Sequence, residues 1–198
     1  GTAAPGDVIS VFRPALADLT PGTTYQARFF ASNASGDAWS DVQTFTTAAS
    51  LTWDAGGGAS TGISTNTNWQ SDPLPDLAHG GEIATFGSAG STAVIDASVS
   101  LLGIVINRDA NFAIADGAGS ITLGSAGITV TLPTTTARTT TISENTLTLA
   151  TDQTWPVTNN TGAANLNISS SIGDGAGAFG FTKTGSGTVT LSGSSDFD

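Results

Sequence analysis

Thr92-Ala93-Val94-Ile95-Asp96, Ile104-Val105-Ile106, Phe112-Ala113-Ile114, Ile121-Thr122-Leu123 and Ile128-Thr129-Val130-Thr131-Leu132 follow one another along one stretch of the chain. Each run is only a few residues long, rich in β-branched or aromatic side chains, and bounded by Gly, Ser, Asn or Asp, as a short strand should be. Thr146-Leu147-Thr148-Leu149, Leu166-Asn167-Ile168 and Thr188-Val189-Thr190-Leu191 continue the series. Many short strands suit either a sandwich or barrel, or a parallel β-solenoid. The brevity of the runs, the small residues at the corners, and Thr and Asn placed to form ladders between stacked rungs favour the solenoid. The expected fold is therefore all-β, with a right-handed parallel β-helix running from about Leu51 to the last residue.

Composition agrees. Charged residues make up 11% of the 198 residues, under half the roughly 25% of an ordinary domain. Thr, Ser, Asn and Gly must then supply solubility, and the near absence of Lys, Glu and Arg argues against long helices. Sixteen acidic residues against five basic ones give a net charge of −11, with Lys183 the sole lysine. No basic stripe exists to displace counterions from phosphate, so a nucleic-acid partner is not expected. No apolar stretch approaches the ~18 residues needed to span a bilayer, so membrane insertion by this segment is not expected either. With no cysteine, disulfides and thiolate metal sites are excluded. Gly1-Thr2-Ala3-Ala4-Pro5 lacks the features of a signal peptide, and the expectation is that the chain begins inside a longer precursor.

Residues 1–47 have a different texture. Val8-Ile9-Ser10-Val11-Phe12 is a β-rich run, Leu19-Thr20-Pro21-Gly22 is a turn signal, and Thr24 to Asn33 alternates as a strand. Ser35-Gly36-Asp37 marks another turn before a strand from Trp39 to Thr47. Leu19-x-Pro21-Gly22-x-x-Tyr25, Arg28-Phe29-Phe30-Ala31-Ser32-Asn33-x-x-Gly36 and Trp39-Ser40-Asp41-x-x-Thr44-Phe45-Thr46-Thr47 together resemble the second half of a fibronectin type III domain. The resemblance implies a tyrosine corner at Leu19 and Tyr25, and Trp39 packed within a sandwich. That family's first strands have no counterpart here, so a partial module is expected at residues 1–47, with residues 48–50 as a junction. A half sandwich exposes apolar faces that another sheet normally covers.

Phe181-Thr182-Lys183-Thr184-Gly185-Ser186-Gly187-Thr188-Val189-Thr190-Leu191-Ser192-Gly193 resembles the passenger-associated repeat of autotransporter β-helices. Residues 51–130, with Thr52-Trp53, Asn68-Trp69, Pro73, Pro75 and Ala84-Thr85-Phe86-Gly87, resemble the region ahead of such repeats in large bacterial surface proteins. An opening or capping region is expected at about 51–90, with Trp53 and Trp69 plugging the core, and a repeat cut short at 181–198.

Chemistry-bearing residues are sparse. Asp116 and Asp174 each open an Asp-Gly-Ala-Gly corner. They are the metal candidates, for calcium, against the plainer reading of Asp-Gly as turn chemistry. Asp72 and Asp76 sit in a Pro-containing loop. His79, the sole histidine, lies beside Gly80 and Gly81 with Glu82 near in sequence. A surface loop is the preferred reading there, because no nucleophile turn accompanies it. A polysaccharide lyase would draw on Arg108 and Arg138, the basic residues outside the sandwich-like part and the repeat. Trp155 is the candidate exposed ligand contact. Pro133 to Thr141, rich in Thr, reads as a ladder-forming rung face. Asn33-Ala34-Ser35, Asn159-Asn160-Thr161 and Asn167-Ile168-Ser169 match the N-glycosylation pattern by chance in a bacterial setting.

No catalytic residue and no cofactor is assigned. The expected function is an extracellular structural or adhesive scaffold, secreted or at the surface of a bacterium, joined to flanking modules or to identical chains end to end. The alternatives are a self-assembling fibre subunit completed by neighbouring chains, and a β-helix that binds or degrades polysaccharide such as surface glycans.

Overall fold

The structure, a computed structural model, describes residues 24–33, 36–46, 50–70, 81–132, 136–159 and 163–196. The chain divides into two units, residues 1–47 and residues 48–198. The proposed Leu19 partner of Tyr25, the run at residues 8–12, His79, Asp72 and Asp76 lie outside the described residues.

In the first unit β1 (Thr24–Ala27) pairs antiparallel with β4 (Gln43–Thr46), and β2 (Phe30–Asn33) with β3 (Gly36–Trp39). Aromatic residues meet across the ladders. Tyr25 stacks on Phe45 at 5.9 Å between ring centroids, and Phe30 packs on Trp39 at 4.7 Å. The Arg28 guanidinium covers the Trp39 ring at 4.1 Å. Trp39 is nonetheless 55% exposed. The expectation of a Trp39 buried within a sandwich is corrected: among the described residues it packs on Phe30 and Arg28 and keeps more than half of its surface exposed.

The second unit is a β-solenoid of about four turns. Every pairing between its strands is parallel. It opens with β5 (Ser50–Trp53), then β6 (Ile83–Phe86) and β7 (Thr92–Val94). β8 (Val99–Asn107), β9 (Phe112–Ala115), β10 (Ile121–Leu132), β11 (Arg138–Ser143) and β12 (Thr146–Leu149) follow. β13 (Gln153–Asn159), β14 (Ala164–Ile168), β15 (Ser171–Gly173), β16 (Phe181–Thr184), β17 (Thr188–Leu191) and β18 (Ser195–Asp196) complete it.

The pairings define three faces. The first stacks β5, β6, the second halves of β8 and β10, then β13 and β16. The second stacks β7, β9, β11, β14 and β17. The third stacks the first halves of β8 and β10, then β12, β15 and β18. β8 and β10 each turn a corner and serve two faces, so Ile121-Thr122-Leu123 and Ile128 to Leu132 are one bent strand rather than two runs. Glycine makes that bend possible. Gly127 adopts φ +59°, and a Cβ there would lie 2.8 Å from Trp155 Cδ1.

Alternation fills the interior in vertical columns. Ala84, Ile104 and Ile128 stand in register on the first face; Phe86, Ile106, Val130 and Val157 form the next column. Ala93, Ile114, Ile142 and Ile168 line the second face, and Val99, Ile121, Leu147 and Ile172 the third. All of these are buried. Each of the Val, Leu, Ile and Phe side chains among them contributes roughly 1.5–3 kcal/mol on removal from water, and backbone hydrogen bonds run from turn to turn. The Thr-rich stretch behaves as expected over its described part. Thr139 stands beside Asn165 and Thr141 between Ala113 and Asn167, all half-buried on the outer face.

Candidate functional site: the corners and ends of the solenoid

The opening turn is closed by its own chain. Trp69 bridges antiparallel to Trp53, and Gln70 N–H donates to Thr52 C=O at 2.7 Å. Trp53 and Trp69 meet edge to face at 5.2 Å and both contact Phe86. Each is at most 1% exposed, so they plug the core as expected of a solenoid cap. Asn68, fully buried at the end of a short 3₁₀ turn (Asn66–Asn68), ties the cap together. Its side chain donates to Gly62 C=O at 2.9 Å and accepts from Gly57 N–H at 2.8 Å. Trp69 Nε1–H donates to Ile63 C=O at 2.9 Å. Asp96 accepts from both the amide and the hydroxyl of Ser64 and holds the cap loop on the next turn.

The far turn differs. Among the described residues β16 pairs only with β13, β17 only with β14, and β18 only with β15. Leu191 continues the column of Ile142 and Ile168 yet is 38% exposed. The residues of the passenger-like repeat have clear geometric duties here. Gly187 N–H donates to Val157 C=O at 2.7 Å. A Cβ at Gly187 would sit 2.6 Å from Val157 Cγ1, and Gly185 takes φ +82°. Lys183 Nζ donates to Gly185 C=O across the same corner.

Trp155 is fully buried, which corrects its reading as an exposed contact. Its indole stacks on Phe181 at 3.8 Å, and its Nε1–H donates to Gln153 Oε1. Gln153 Nε2 in turn donates to Leu123 C=O. The surface nearest to it is an open groove of about 500 Å³ lined by Ser125, Asp152, Gln153, Thr154, Gly180, Phe181 and Thr182. Arg108 is also a core-side group. It donates to Ala89 and Gly90 carbonyls and lies over Phe112 at 4.6 Å. Arg138 pairs with Asp109 at 3.2 Å between neighbouring turns. The two arginines are thus held in structural contacts.

The two calcium candidates part company. The Asp174 carboxylate accepts from Phe179 N–H at 3.1 Å, and its carbonyl accepts from Gly177 N–H. It closes its own turn. Asp116 is exposed at the corner between the second and third faces. The β9–β11 register sets Ala115 beside Ser143. Continuing it by one residue leads to Asp116 and Glu144, close enough for the Asp116 charge to act on Glu144, a residue that composition alone did not single out. Glu144 is 2% exposed, and neither carboxylate oxygen has a hydrogen-bond partner among the described residues. Burial pushes its carboxyl up to about 8, and the Asp116 charge adds to the rise. The nearby Ile121 backbone works in the opposite direction and lowers it. No grouping of three or more His, Asp or Glu side chains suited to a metal occurs among the described residues, so any cation here would draw on two carboxylates and on neutral oxygens.

Compared with known proteins, the chain matches no family model, no curated protein and no solved structure.

Proposed function

We propose that this chain is a non-catalytic structural segment of a large bacterial extracellular protein, a stiff spacer that displays or separates neighbouring modules. The observation that carries this reading is the continuous core, from Leu51 at the first turn to Ile172 near the last, held by parallel ladders on three faces. Such a stack resists bending and proteolysis because each inner turn is paired above and below. The autotransporter passenger affinity is supported by the corner at Lys183, Gly185 and Gly187, where the repeat's glycines allow close approach to Val157. The fibronectin type III affinity of the first unit is supported by its two antiparallel pairings and the Tyr25–Phe45 contact. The test is an antibody against residues 51–196 applied to intact cells of the producing bacterium, with protease shaving. Surface labelling and a protease-resistant solenoid fragment are expected; a purely internal signal overturns the reading.

A second reading, self-association, has one observation behind it: among the described residues β16, β17 and β18 each pair on one side only. Head-to-tail stacking would need a matching free edge on the opening turn, where residues 66–70 already lie. Association through the last turn alone gives a closed pair rather than a fibre. Sedimentation over a wide concentration range distinguishes monomer, pair and filament.

A further inference from the structure

A buried carboxylate with no partner is costly in either protonation state. When ionised it lacks a counter-charge, and when protonated its O–H still needs an acceptor. Glu144 is in that position. Its side chain follows the inward alternation of β11, after buried Thr140 and Ile142, and arrives at the corner between the second and third faces. The corner stacks Asp116 on one side. On the other, the β11–β14 register ends at Ile142 and Ile168, and continuing it by two residues leads to Glu144 and Ser170. Ser170 is 2% exposed and already donates its hydroxyl proton to Ile142 C=O, which leaves its oxygen lone pairs toward other donors or a cation. Asn145 braces the same corner by donating to Gly117 C=O.

From this juxtaposition we infer that the corner at Asp116 and Glu144 binds a hard divalent cation of the calcium class and staples adjacent turns of the solenoid. The two carboxylates come from consecutive turns, so the ion would cross-link the stack where no main-chain ladder runs. Oxygen ligands in a flexible arrangement are what calcium accepts. Asp174 has the same Asp-Gly-Ala-Gly setting but spends its carboxylate on Phe179 N–H, and it serves as the internal control. The inference does not depend on the scaffold reading.

The test is calcium titration of the chelator-treated chain, followed by calorimetry and by thermal unfolding, with NaCl of equal ionic strength as reference. Saturating calcium at about one hundred times the dissociation constant should raise the unfolding temperature by roughly 5–10 °C. Asp116→Asn and Glu144→Gln should each abolish both the heat of binding and the shift, while Asp174→Asn keeps them. Asp116 is exposed, so its variant keeps the test decisive if Glu144→Gln does not fold. Absence of calcium binding overturns the inference, as does binding that survives Asp116→Asn or is lost in Asp174→Asn.

Discussion

The first and the last described turns of the solenoid differ in how much of their outer edge other described residues cover. A stack of parallel turns satisfies its backbone everywhere except at its first and last edges, where a row of N–H and C=O groups and a cross-section of apolar core face outward. At the opening turn, residues 66–70 fold back along β5. Trp53, Trp69 and Phe86 close the cross-section, and buried Asn68 fixes the covering loop with hydrogen bonds in both directions. At the last described turn no comparable cover lies among the described residues, and Leu191, in the column of Ile142 and Ile168, is 38% exposed. The difference teaches that a cap requires specific chemistry, large aromatic rings and a buried amide. The coil itself requires only alternation and small corners.

Substitutions can break this asymmetry. Trp69→Ala should destabilise the solenoid by about 3–5 kcal/mol, because it removes one of the two indoles that plug the core cross-section. Urea unfolding gives the magnitude, and hydrogen exchange should show β5 and β6 opening first. A loss under 1 kcal/mol would mean that the cap is decorative. Asn68→Ala should cost about 1–3 kcal/mol, since Gly62 C=O and Gly57 N–H lose their partner inside the protein.

Midway between the ends, Glu144 gives a pH signature in the presence of chelator. Its folded-state carboxyl titrates near 8 against an ordinary 4.5. Over that interval the folded chain holds a proton that the unfolded chain has released. Stability from this group is therefore full below about pH 4.5, declines as pH rises towards 8, and is level above that. Glu144→Gln should flatten the decline in a series of unfolding curves from pH 4.5 to 9, and a slope unchanged by the variant would contradict the burial. The smallest effect belongs to the last described turn. Leu191→Thr should shift stability by no more than about 0.5 kcal/mol. A loss like that of Trp69→Ala would show that the last turn is covered in solution.

Part of this arrangement was legible along the chain. β12 and β17 coincide with Thr146–Leu149 and Thr188–Leu191, because uninterrupted alternation leaves a strand no other choice of face. The role of Trp53 and Trp69 was legible too, since paired aromatic residues at the mouth of a coil have a physical reason to be there. β13 was not. Trp155-Pro156 reads as a break, yet Pro156 fits: the pairing of β13 with β10 starts only at Val157, so the missing N–H removes no bond of that ladder. Trp155 was misplaced for a related reason. The indole N–H finds its acceptor in Gln153, itself buried, and nothing local in the sequence marks that pairing.

Alternation, small corners and scarce charge were enough, by themselves, to specify an all-β stack of short rungs with a dry aliphatic interior. Only the tertiary structure decided which polar residues join that interior. Gln153, Thr140, Ser170 and Glu144 are buried because the register with the turns above and below assigns them inward positions. A lone glutamate in a Thr-rich run reads as solvated. It becomes a buried, partnerless acid beside Asp116 only when residues 28 apart in the chain are brought into register, and no local pattern encodes that distance.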